Sequence, residues 1–297
     1  MELCTLGAGH YAEQDVREAA RALTGAGVAD AGYAFNRDAH DHGEKSILGR
    51  TGRWQAGDTV DLLLDEPACA DWVSGKLYEH FVADLEVGRA DHREQTVLQL
   101  ARTLRTSSCA LAPALKRLLL DELFYDAAVI GRKMKSPIQL VVGTIKNLGT
   151  PTRDLGVLTD QLALMGQSLF RPPTVAGWPR GREWIGSASM LARHNTCFYL
   201  ITGINPRQAI TGSERLFGGI TAQSARHDPG FLLEGLDSRA PAAVVNWLTD
   251  RLLACPCSVA DKQPLVAYLN DRGGKVTPDD LLGLLVLITA MPHYQLT

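Results

Sequence analysis

Two stretches of this chain carry their own start and stop signals for helix. In Ser136 to Gly149, "SPIQLVVGTIKNLG", a capping serine precedes a first-turn proline, whose missing N–H costs nothing there, and a glycine closes the run. In "TPDDLLGLLVLITA", Thr277, Pro278 and Asp280 spell a cap, a first-turn proline and a capping-box acid ahead of an apolar run. Punctuation of this kind recurs along the chain, and it commits most of the length to helix.

"AEQDVREAARAL" places Val16, Ala19, Ala20 and Leu23 on one face and Glu13, Arg17, Glu18 and Arg21 around the other, with Gly25 as the closing residue. A helix starting near Pro67 stacks Ala68, Trp72, Val73, Leu77 and Phe81. Further helices are expected from Arg93 to Thr106 and from Pro113 to Phe124, and "LTDQLALMGQSLF", "SMLARHNTCFYLITG" and "APAAVVNWLTDRLLA" are helical by period. Extended character appears in one place, "YAFNRDAHDHGEKSIL", as two short arms around Asp41-His42-Gly43-Glu44. The expected fold is mostly α: a multi-helical single domain over residues 1–297 with one short β-hairpin around residues 33–49.

With 297 residues, 45% of them hydrophobic, the chain can bury roughly three quarters of its unfolded surface and needs no staples. Its net charge of -3 and the lack of a basic stripe interleaved with aromatics argue against a nucleic-acid partner. The apolar run Leu281 to Met291 is too short to span a bilayer, so no membrane span is expected. "MELCTLGAGHYAEQDV" has no basic start followed by an apolar run, so no signal peptide is read there. Cys255-Pro-Cys257, the one close pair among six cysteines, lacks a second pair for a tetrahedral zinc site and reads as a loop. No G-x-S-x-G elbow, phosphate loop or H-E-x-x-H helix is present.

Three segments hold candidate chemistry. In "AHDHGEKSILGRTG", His40 and His42 share a face of an extended arm; with Glu44 they would suit zinc or iron with an open position. Histidine and carboxylate would equally suit a general base and its orienter. The structural reading of the same residues is that Asp41 accepts turn N–H bonds and the imidazoles are solvated or packed. In "MGQSLFRPPTVAGWPRGREWIG", two prolines force an extended path. Phe170, Trp178 and Trp184 would then either pin a structural loop or form a stacking platform for a sugar or peptide. In "LARHNTC", Arg193, His194 and Asn195 interrupt an apolar helix and must be hydrogen-bonded if buried. "HDHG" at His40 recurs as "HDPG" at His227, a coincidence or a distant duplication.

Taken in order, "ELCTLGAGHYAEQDVREAARALTG", "HDHGEKSILGRTG", "PACADWVSGKLYEHFV", "KMKSPIQLVVGTIKNLG" and "MGQSLFRPPTVAGWP" followed by "LLARHN" resemble the bacterial family catalogued as domain of unknown function 1800. The resemblance spans nearly the whole chain. It matches His40, Asp41, Gly43, Lys45, Leu48 and Gly49, and places His42 where the family is variable. It also matches Lys76, Lys135, Pro137, Gly166, Gln167, Pro172, Gly177, Trp178, Pro179, Arg193 and Asn195. Ala26 stands where the family has a tryptophan, and "DELF" at Asp121 to Phe124 where it often reads "SPEF". The resemblance implies that Met1 falls inside a family motif, as in a truncated member, that relatives are commonly exported, and that a secreted sulfatase-like protein is a partner.

Three functions are therefore expected as alternatives. The first is an envelope-associated or secreted binding or accessory module, with Trp178, Trp184, Arg193, Asn195 and Gln167 as binding residues. The second is a metal-assisted hydrolase or oxidoreductase using His40, Asp41 and Lys45, and the third a truncated, non-functional remnant. Neither a cofactor nor a complete metal-ligand set is identified in the sequence.

Overall fold

The computed structural model describes residues 1–29, 32–84, 90–205 and 227–297. Its chain divides into two compact units, one of Met1–Ala83 with Gly88–Ala127, the other of Asp84–Val87 with Ala128–Thr297. The fold is mostly α, with two small antiparallel strand pairs among the described residues.

The first unit runs through α1 (Glu13–Ala22), strands β1 (Ala26–Ala29), β2 (Gly32–Phe35), β3 (Lys45–Ile47) and β4 (Arg50–Gly52), then α2 (Ala56–Asp65), α3 (Pro67–Phe81), α4 (Ala90–Thr106) and α5 (Leu111–Leu120). A single-turn π-helical segment, Glu2–Leu6, precedes them and receives Trp72 of α3, whose Nε1 donates to the Leu3 carbonyl at 3.2 Å.

Both extended arms of the 33–49 segment exist, but they pair outward rather than with each other. Tyr33 and Phe35 of β2 pair with Val28 and Ala26, and Lys45 and Ile47 of β3 pair with Gly52 and Arg50. The turn of the second hairpin is Leu48-Gly49, both at positive φ (49° and 76°), as a two-residue primed turn requires. Asp41-His42-Gly43-Glu44 is therefore a connector between hairpins. Ahead of it, Asn36 accepts from the Asp38 and Ala39 N–H groups and closes a 3-10 turn at Arg37–Ala39, which ends the first hairpin before an inward pairing can form.

Helix α1 is also rotated from the expected apolar face. Val16 and Leu23 are exposed, and Glu18, Ala19 and Ala22 are buried. The cause is polar: Asp15 Oδ1 accepts from Leu48 N at 2.8 Å and Glu18 Oε2 from Ser46 N at 3.1 Å, so the helix presents two carboxylates to unpaired strand N–H groups. Ala19, Ala22, Ile47 and Leu62 form the small core beneath.

The second unit contains α6 (Pro137–Leu148), α7 (Leu155–Leu164), α8 (Ser187–Thr202), α9 (Pro241–Leu252), α10 (Val259–Asp271) and α11 (Pro278–Ala290). Helix α8 is its centre: α6, α7 and α11 pack against it, and it buries Ala192, Arg193, Thr196, Cys197, Tyr199, Leu200 and Ile201. A helix covered this widely loses a clean amphipathic stripe. Both punctuated helices start as their sequences require. Ser136 Oγ accepts from Gln139 N, and Thr277 Oγ1 from Asp280 N.

Gly149 closes α6 at φ +59°, and a Cβ there would lie 2.8 Å from the Phe231 ring. Gly149→Ala should cost at least about 1–2 kcal/mol from the left-handed conformation alone, with the steric clash added. Chemical denaturation should show a lower midpoint at an unchanged m-value.

Candidate functional site

The His40–Asp41–Lys45 constellation sits where the end of α1 meets the connector between the hairpins. His40 is buried, and its Nδ1 donates to the Thr24 carbonyl at 2.8 Å. That carbonyl immediately precedes Gly25, which turns the chain out of α1 at φ +81°. Asp41 does not orient His40. Its carboxylate faces Arg21, with Nε to Oδ2 at 2.8 Å and Nη2 to Oδ1 at 3.3 Å, and Oδ1 also accepts from Gly43 N at 2.8 Å. Hydrogen bonding from Arg21, and then from the Gly43 N–H, holds the Asp41 carboxyl down to about 2. Arg21 is raised in turn, first by Asp41 and then by Glu18.

Lys45 is 1% exposed, and its Nζ donates to the carbonyls of Asp41 and Gly43. His42 Nε2 donates to the Arg37 carbonyl at 3.0 Å, and its ring meets that of His40 edge to face with centroids 4.9 Å apart. The two imidazoles thus come together, while Glu44 enters through its backbone carbonyl, which accepts from Arg21 at 3.2 Å. Among the described residues no group of three or more His, Cys, Asp or Glu side chains is arranged to hold a metal ion.

The recurrence at His227 has a structural meaning. The His227 ring lies beside the Leu148 backbone, and Leu148 precedes Gly149 as Thr24 precedes Gly25. Asp228 Oδ1 accepts from Gly230 N at 2.9 Å, as Asp41 does from Gly43. In both copies of H-D-x-G the histidine lies at a helix end closed by a left-handed glycine, and the aspartate folds the following turn. Burial, followed by the nearby charge of Arg153, lowers the His227 pKa.

The five binding candidates lie in the second unit and divide into two groups. Gln167 Oε1 accepts from Ile138 N at 2.9 Å, helping to close the N-terminus of α6. Trp184 is buried, and Trp178 is half-buried with its Nε1 donating to the Ser168 carbonyl at 3.2 Å. Trp178 pins a loop over 168–178, on which Phe170 and Val175 are 95% and 94% accessible and Leu169 37%. Phe170 adopts φ +59°.

Arg193, on α8, is wholly buried. Its Nη2 donates to the Lys135 carbonyl at 2.7 Å and its Nη1 to Gln295 Oε1 at 3.1 Å. Asn195 is half-buried on the same helix. Close by, Thr144 Oγ1 and Tyr294 Oη lie 3.0 Å apart, with Cys197 Sγ 3.9 Å from Thr144. Burial pushes the Cys197 thiol up to about 11 and raises Tyr294 as well.

The sequence reading missed the surroundings of Lys135 and the role of Gln295, because the partners are 58 to 160 positions away along the chain. For Phe170 a signal was available: an aromatic ahead of Arg171-Pro172-Pro173, where a stiff path offers little cover.

A family model described as "Protein of unknown function (DUF1800)" matches residues 1–296. Comparison with curated proteins and with solved structures gives no match.

Because Asp41 is depressed by its native partners, the stability it contributes is full above the unfolded value of 3.8 and is lost as pH falls towards about 2. Wild-type melting temperature should drop between pH 4 and pH 2 more steeply than that of Asp41→Asn, with the two curves converging at the acid end. His40→Ala, which leaves the Thr24 carbonyl short of a donor, should lower stability by about 1–3 kcal/mol in calorimetry at neutral pH.

Proposed function

The chain belongs to the DUF1800 family, and we propose that it works as a binding or accessory module for another protein at the bacterial cell envelope or outside the cell. The observation that carries this reading is Phe170. A non-glycine residue at positive φ costs about 1–2 kcal/mol, and here the strain displays an aromatic ring 95% exposed with no burial to offset it. Strain of this kind concentrates at ligand clamps and functional sites.

The loop that holds Phe170 is prepared rather than loose. Trp178 fastens it to Ser168, Arg171 N donates to the same carbonyl at 3.2 Å, and Gly177 N donates to Thr174 O at 3.0 Å, folding the tip around Val175. A pre-set loop loses little conformational freedom on docking, so more of the contact energy reaches the affinity. The saturation of Asp41, Lys45 and the His40 Nδ1 by internal partners favours this reading over hydrolysis or oxidation at that constellation.

The partner we propose is the secreted sulfatase-like protein implied by the family resemblance. Isothermal titration of the purified chain against such a protein should give a complex that Phe170→Ser with Val175→Ser weakens about 30-fold or more, the scale of a hot-spot aromatic. The melting temperature of the double variant should stay close to wild type, because both side chains are exposed. Absence of a complex, or equal binding by the variant, would overturn the proposal.

A further inference from the structure

The second unit places a buried arginine and a half-buried lysine side by side, with no acid paired to either among the described residues. Arg193 is 0% exposed, its two terminal nitrogens are used on the Lys135 carbonyl and Gln295, and its Nε has no partner. Lys135 is held beside it by its own backbone. Its N–H donates to the Gln295 carbonyl at 2.8 Å, and its Nζ donates to the Tyr294 carbonyl at 2.7 Å while lying 4.2 Å over the Tyr294 ring. No carboxylate among the described residues forms an ion pair with either side chain.

Buried charges in proteins are normally paired, because removal from water costs several kcal/mol per ion. Carbonyl oxygens and a ring face solvate Lys135 in part, but they carry no net negative charge. Burial, and then the charge of Arg193, accordingly lowers the Lys135 pKa, while burial lowers that of Arg193.

Lys135 is not sealed in. It lines a groove of 510 Å³ along α6, together with Ile138, Gln139, Val142, Lys146 and Asn147, and with Thr297 at one edge. The α6 side of this groove offers a second cation, two carboxamides and two aliphatic side chains, and no acidic side chain.

We propose that this groove binds a small molecule bearing a carboxylate or phosphate group, with Lys135 as the principal cation and Arg193 fixing its position from behind. Gln139 and Asn147 supply neutral donors for the remaining oxygens, and Ile138 and Val142 a surface for an apolar stem. The ligand is the missing counter-charge of the Lys135–Arg193 pair. The inference stands independently of docking through the 168–178 loop, and the two tests use different variants and different titrants.

The experiment is titration of the full chain with inorganic phosphate, and separately with butanoate, at constant ionic strength with chloride as the balancing anion, followed by melting temperature and by chemical shifts of the α6 amides. We expect a saturable rise in melting temperature with at least one probe, and shifts centred on Gln139 to Asn147. Lys135→Met should weaken binding by at least tenfold and Lys146→Ala by a few-fold, whereas Lys116→Ala, on a different helix, should leave it unchanged. Because Lys146 is exposed, its variant keeps the test informative if Lys135→Met fails to fold. A response to phosphate alone would assign a phosphate ester, and a response to butanoate alone a carboxylate. No saturable response to either probe, or responses identical in wild type and Lys146→Ala, would overturn the proposal.

Discussion

A helix leaves its last carbonyls and first N–H groups without partners inside itself, and in this protein side chains from distant parts of the chain supply them. His40 holds the Thr24 carbonyl after α1. Arg153 takes the Leu200 and Ile201 carbonyls in the last turn of α8, and Gln167 accepts an N–H in the first turn of α6. Asp15 and Glu18 do the converse service for the N–H groups of the second hairpin. These ends of α1, α6 and α8 are thereby tied to segments remote in sequence.

This requirement explains why the conspicuous polar motifs are placed as they are. H-D-x-G looks like acid–base chemistry when read as a string, yet both copies sit at the same feature, a helix end closed by a left-handed glycine, and both aspartates fold the turn that follows. The His–Asp adjacency is incidental to that work, since Asp41 pairs with Arg21 and the ring turns towards Thr24. Features that such bracing leaves over stand out more sharply for it. They are an exposed, strained Phe170 and a half-buried Lys135 beside a buried Arg193, with no acid paired to either among the described residues.

Helices with a complete local start signal were legible. Ser136-Pro137 and Thr277-Pro278 with Asp280 announce α6 and α11, because capping depends on residues within one turn. Helix α10 passed unnoticed although Ser258 and Asp261 form a capping box, since Pro264 inside the run breaks the pattern. Helix α2, Ala56–Asp65, lies between the expected hairpin and the helix expected from Pro67, and its short run carries no side-chain cap to announce it. Faces were less legible than spans. In α1 the carboxylates of Asp15 and Glu18 turn inward because strand N–H groups lie there, which no hydrophobic period can reveal.

The sequence by itself determined the helical class, the family and the starts of α6 and α11, because these depend on interactions within a few positions or on a pattern spread over the whole length. Only the tertiary structure decided which strand pairs with which, what His40 and Asp41 touch, and that Lys135 and Arg193 share a site without a counter-charge. Those outcomes rest on partners far apart along the chain and on burial. Burial makes an unpaired ammonium costly and an exposed phenylalanine conspicuous, and it exists only once the chain is packed.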